Sequence, residues 1–110
     1  MDTNMTQTKK KNRLSLQSTL EGLLGSRHVY YQPPESLKME YPCIRYSKSN
    51  RADKYADNIK YLSDDVYDLV IISKTPDHPV IDKILNLPYT ELYRHFTTDG
   101  LNHDIITIYW

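Results

Sequence analysis

Glycine is scarce in this sequence. Three occur in 110 residues, at positions 22, 25 and 100. They are too few and too scattered for a loop that cradles phosphates, which concentrates its glycines in one short run. Cysteine occurs once, at Cys43, so no intrachain disulfide can form, which fits a reducing cytoplasm. Cys43 stands in an apolar stretch and is expected as a small buried hydrophobe rather than a nucleophile. No apolar run approaches the ~18 residues of a membrane-crossing helix. The polar N-terminal stretch has none of the apolar core of a signal peptide. No Ser/His/Asp motif and no Cys-x-x-Cys pair is present. The expectation is a chain without enzymatic activity and without a cofactor.

Tyrosine is abundant by contrast, with ten residues against one Phe and one Trp. Its apolar body and polar tip suit half-buried sheet faces and protein interfaces, and it has high strand propensity. Charge is balanced overall but unevenly placed. Residues 1–13 carry Lys9, Lys10, Lys11 and Arg13 against Asp2, or +3, leaving 10 basic and 13 acidic groups, or −3, on the rest. A basic tail on a slightly acidic body can contact nucleic acid or an acidic neighbour. The body shows no basic patch of the kind a dedicated DNA-binding domain carries.

At this length the chain forms one domain that buries about two-thirds of its unfolded surface. Residues 1–12 have almost no apolar content and are expected as a disordered basic arm, with a single α+β domain over 13–110. Leu16, Leu20, Leu23 and Leu24 fall on one face of a helix, with Asn12 or Ser15 as its cap and Gly25 just past its end. Val29, Tyr30 and Tyr31 read as a strand stopped by Pro33 and Pro34. Cys43, Arg45 and Ser47 alternate with Ile44, Tyr46 and Lys48 in a second strand.

Residues 49–65 are polar and charged around Tyr55, Ile59, Tyr61 and Leu62, and read as the far end of a long projecting hairpin. Residues 66–73 form the strongest strand, apolar on both faces over 69–72 and so central. A helix follows, with Asp77 or His78 at its cap, Pro79 at its first position and an apolar stripe of Val80, Ile81, Ile84, Leu85 and Leu87 before Pro88. The last segment is a hairpin around Asp99-Gly100. The fold expected is one antiparallel or mixed sheet with both helices on one face, and a core of Leu20, Val70, Ile72, Ile84 and Ile106.

His95, Asp99, His103 and Asp104 are all capable of holding a metal. A two-residue turn at Asp99-Gly100 sets His95 against Asp104 and His103 against Phe96, with the histidines on opposite faces. A three-residue loop sets His95 against His103. Asp-Gly favours the first, which gives a cross-strand polar pair worth about 0.2–1 kcal/mol and no metal site.

Three stretches, YYQPPESLKMEYPCIRYSKSN, ADNIKY and LPYTELYRHFTTDGLNHDIITIYW, in this order and spacing, resemble the tail-terminator or tail-completion proteins of tailed bacteriophages. The resemblance spans roughly residues 14–110. It implies a sheet flanked by helices with an extended hairpin. It also implies a structural protein of the virion neck, assembled in the host cytoplasm, that forms a ring, commonly hexameric, at the head-proximal end of the tail. Such a ring ends polymerisation of the tail-tube protein and meets the head's connector or stopper, while DNA passes through its lumen without sequence-specific binding. No catalytic residues carry over. On this reading Tyr55, Tyr61 and Trp110 belong to subunit contacts, Lys9, Lys10, Lys11 and Arg13 can touch DNA or a neighbour, and the last strand ties down Trp110. Another neck protein, or a small nucleic-acid-binding protein using its arm and tyrosines, are the other readings of the same features.

Overall fold

A computed structural model describes residues 12–49 and 65–110. Among them the chain runs α1 (Arg13–Leu24), β1 (Val29–Tyr31), β2 (Cys43–Lys48), β3 (Val66–Ser73), α2 (Pro79–Leu85), β4 (Thr90–Thr98) and β5 (Leu101–Tyr109). The five strands form one sheet in the order β1-β2-β3-β5-β4. β1 lies parallel to β2, and every other pair is antiparallel. The fold is thus α+β with a mixed sheet and two helices. The projecting hairpin expected at 49–65 falls, apart from its two end residues, outside the described residues.

Local chemistry sets the element ends. The Asn12 side chain accepts from the Ser15 amide at 2.9 Å and Ser15 Oγ accepts from the Asn12 amide at 3.1 Å, a reciprocal box that satisfies two helix-end donors. Gly25 closes α1 at φ 84° and sends its amide to the Glu21 carbonyl, the left-handed cap that glycine accepts without strain. α2 starts at Pro79, with His78 Nδ1 accepting from the Val80 amide at 3.1 Å. The β4–β5 turn has Asp99 at φ 53° and Gly100 at φ 74°, as a two-residue hairpin turn requires. Thr98 accordingly pairs with Leu101 and His95 with Asp104.

Both helices lie on one face of the sheet. Leu16 and Leu20 of α1 and Val80, Ile81 and Ile84 of α2 pack on Val29, Ile44, Tyr46, Tyr67, Leu69, Ile71, Ile106 and Ile108. Leu20, Ile84 and Ile106 are in this core as expected. Val70 and Ile72 are not between helices and sheet: strand periodicity sends them to the second face, where Val70 is half-buried and Ile72 is buried in register with Cys43 and His103.

Cys43 is fully buried and its thiol is pushed up to about 11, chiefly by burial, with Arg45 opposing. A thiol this far above neutrality holds almost no thiolate, the reactive form. We therefore expect Cys43 to resist alkylation at pH 8 in the folded protein and to react at once in denaturant. Rapid labelling of folded protein would contradict its placement.

Candidate functional site

Four element ends meet at one pole of the molecule. α1 begins there, β2 ends, β3 begins and β5 ends. The Trp110 indole donates to the Asn12 carbonyl at 3.0 Å and to Ser15 Oγ at 2.9 Å. The Trp110 amide donates to the Asp65 carbonyl at 2.9 Å, and the Ser49 amide to the Val66 carbonyl at 2.8 Å. Lys48 Nζ donates to Asp65 Oδ1 at 3.0 Å. That ion pair is the main reason the Lys48 ammonium titrates above its usual range.

Asn12, Ser49 and Asp65, the described residues that flank the basic stretch and the segment 50–64, therefore lie at this one pole. Lys9, Lys10, Lys11, Tyr55 and Tyr61 lie outside the described residues. Arg13 and Trp110, the other residues expected in contacts, are both at this pole but are both engaged within their own chain. Trp110 is half-buried against the core. Arg13 stacks its guanidinium 4.4 Å from the centre of the Tyr31 ring and donates to Tyr46 Oη at 3.4 Å.

This pole also corrects the boundary of the arm. Asn12, assigned with the arm from its composition, caps α1 and accepts from Trp110. Removal of residues 1–11 is expected to leave the melting temperature nearly unchanged. Removal of residue 12 as well should cost about 0.5–2 kcal/mol, the worth of a helix cap. Equal melting temperatures for the two truncations would contradict the capping role.

Beneath Arg13 lies a triangle of tyrosines. Tyr31 and Tyr46 have ring centres 5.0 Å apart, Tyr46 and Tyr67 5.9 Å, and Tyr31 and Tyr67 6.4 Å. Tilted and edge-on pairs of this kind add to burial energy. Tyr46 Oη donates to Gln17 Oε1 at 2.6 Å, and Gln17 Nε2 donates to the Val29 carbonyl at 2.8 Å, so α1 is fixed to the sheet by polar as well as apolar contacts. Burial raises the titration of both Tyr46 and Tyr67; the Arg13 hydrogen bond partly offsets it at Tyr46. Part of the tyrosine excess thus belongs to the sheet core.

Another part is on the surface. Among the described residues β4 is an edge strand, with β5 as its sheet neighbour. It exposes Leu92 at 47% and Tyr93 at 50%, and Tyr89 just before it at 46%. Between Leu92 and Arg94 the register shifts by one residue, a bulge at Tyr93. Bulges re-aim side chains at sheet edges. Tyr89 sits at φ 59°, a region that is strained for a bulky side chain and costs on the order of 1–3 kcal/mol.

The second sheet face carries a cleft of about 260 Å³. Its lining includes Pro33, Val70, Tyr93 and Ile105, with Arg45 and Asp68 supplying charge. Asp68 Oδ1 accepts from Thr107 Oγ1 at 3.0 Å.

The closing hairpin holds the polar pair expected of a two-residue turn. His95 Nδ1 lies 2.8 Å from Asp104 Oδ1, with the carboxylate nearly buried. A carboxylate only accepts, so the ring carries a proton on Nδ1. His103 stacks on Phe96 at 4.6 Å on the opposite face, and Arg94 lies 5.0 Å from the Phe96 ring centre. Among the described residues no three His, Cys, Asp or Glu side chains group as metal ligands, and no helix is long and apolar enough to cross a membrane.

The interior roles of Trp110 and Arg13 had no signal in the sequence, because both depend on which chain ends meet. The Tyr89–Tyr93 surface had a partial one in the aromatic residues near Pro88. Comparison of the chain with protein-family models, curated proteins and solved structures finds no match.

Proposed function

We propose that this chain is a structural assembly protein of a tailed bacteriophage. It forms a ring, hexameric as in the proteins it resembles, at the head-proximal end of the tail. There it ends tail-tube polymerisation and joins the tail to the head's connector or stopper, with DNA passing through the lumen. The observation that carries the reading beyond resemblance is the nine-residue edge strand β4 with its exposed Tyr89, Leu92 and Tyr93. A long edge strand with exposed apolar side chains is an association hazard unless a partner covers it. A ring needs two different patches on each subunit, one for each neighbour. The β4 edge provides one, and the segment containing Tyr55 and Tyr61 provides the other.

Size-exclusion chromatography with light scattering tests this. Wild type is expected to elute as a closed ring. Tyr55→Ser with Tyr61→Ser should give a folded monomer, since aromatic anchors buried in an interface carry about 2 kcal/mol or more each and every interface in a ring is identical. His95→Gln with His103→Gln should leave the ring intact. A double tyrosine variant that still elutes as a ring would contradict the contact assignment.

A further inference from the structure

We infer that the helix-free sheet face meets duplex DNA through Arg45 and Arg94, an inference that rests on the ring reading above for the presence of DNA. The two arginines share one row across the sheet. Arg45 pairs with Val70, Val70 with Ile105 and Ile105 with Arg94, so all four side chains lie on the face that carries Val70. Three inter-strand spacings of ~4.8 Å set the arginine Cα atoms about 14 Å apart. The next row, Cys43, Ile72, His103 and Phe96, stands on the same face. Neither row holds an acidic side chain. Acids enter in the row on the other side, which is Ser47, Asp68, Thr107 and Glu91. The face thus has a basic half and an acidic half.

Arg94 is held in place by its neighbours. Its guanidinium lies 5.0 Å from the Phe96 ring centre, and Phe96 stacks on His103 at 4.6 Å with the ring planes 9° apart. His103 Nδ1 lies 3.2 Å from the Leu101 carbonyl oxygen, which only accepts, so this nitrogen carries the proton and the ring is fixed at its own turn. A guanidinium set against an aromatic ring loses less freedom on binding and keeps its N–H edge for two parallel bonds to a phosphate. Arg45 and Arg94 are both exposed, and neither forms an ion pair with a described residue. Between them the row offers only apolar side chains, so the surface gives charge contacts at two points and nothing that reads a base edge. That suits a ligand whose charge repeats densely. A duplex presents one phosphate per ~1.7 Å of its axis, so both arginines find phosphates at any register, as DNA moving through a lumen requires. An acidic peptide would have to match the spacing of about 14 Å.

The test titrates full-length wild type and Arg45→Gln with Arg94→Gln onto a short fluorescent duplex and follows anisotropy between about 50 and about 200 mM salt. Both residues are exposed, so thermal melting of the double variant should match wild type. Each phosphate contact steepens the fall of log affinity with log salt by about 0.9, so over this range wild type should lose about twelvefold more affinity per subunit than the double variant. Either single substitution should remove about half of that difference in slope. Phe96→Leu, which keeps both charges, should weaken binding at low salt with little change in slope. Equal slopes for wild type and the double variant, or no binding of wild type to the duplex at low salt, would overturn these contacts while leaving the ring reading standing. Tighter binding of wild type to a single strand or to polyglutamate than to the duplex would overturn them too. Wild type that never forms rings but shows the two-contact difference in slope would overturn the ring reading and leave the contacts.

Discussion

Ile84→Ala is expected to destabilise the protein by about 2–5 kcal/mol, the range for truncating a buried aliphatic side chain where the site cannot collapse. Ile84 is fully buried, and α2 has only seven residues. A helix this short has no stability of its own in water and is held by its packed face. That face is Val80, Ile81 and Ile84, set against the sheet with α1 beside it. Loss of the Ile84 side chain opens a cavity in the face that anchors α2, leaving Val80 and Ile81 to hold it. In urea the midpoint should fall while the slope stays constant, which marks a change in stability rather than in the unfolded state. Val70→Ala is the control: Val70 is half-buried on the other face, so its cost should be well below that of Ile84→Ala. The reverse order would mean that the helices cover the wrong face.

Trp110→Ala should be nearly as damaging, at about 2–4 kcal/mol, somewhat under the range for a fully buried tryptophan because the ring is half-buried. The substitution removes a ring packed on the core and an indole donor shared by the Asn12 carbonyl and Ser15 Oγ. Ser15 is itself half of the α1 capping box, so the start of α1 loosens with it. Trp110→Phe, which keeps most of the ring but not the donor, should recover part of the loss. A melting temperature unchanged by Trp110→Ala would show that the residue is not needed to join the two ends of the chain. This intrachain role is also why Trp110 is left out of the assembly variants: its removal acts on the fold before it can report on a subunit contact.

Much of this fold was legible in residue chemistry. Asp99-Gly100 favoured the two-residue turn over a three-residue loop, and the observed pairing of His95 with Asp104 decides for it. Asn12 or Ser15 and Gly25 bounded α1, and Pro79 after Asp77 or His78 opened α2; the structure makes Asn12 and His78 the caps. The choice of core face was not legible. β3 reads apolar on both faces over 69–72, so Val70 and Ile72 competed on equal terms with Leu69 and Ile71, and only the docked helices decide between them. The parallel pairing of β1 with β2 was also hidden: it depends on how residues 32–42 carry the chain back, and no local pattern specifies that. Around the candidate site, Arg13 read as part of a charged arm because its partners Tyr31 and Tyr46 are 18 and 33 residues away in sequence. Contacts between distant chain ends leave no periodic trace. Exposed tyrosines and core tyrosines likewise look alike until the sheet order is known.

The central proposal is that the protein caps a growing tail tube, and the most direct measurement is tube length. The tail-tube protein encoded alongside it is polymerised with and without the purified chain, and the products are imaged by negative-stain electron microscopy. The account predicts a ring at one end of the tubes, no growth beyond that end, and a mean length that falls as the chain is added. Tubes that grow to the same lengths with bare ends, beside a chain that stays monomeric throughout, would contradict it.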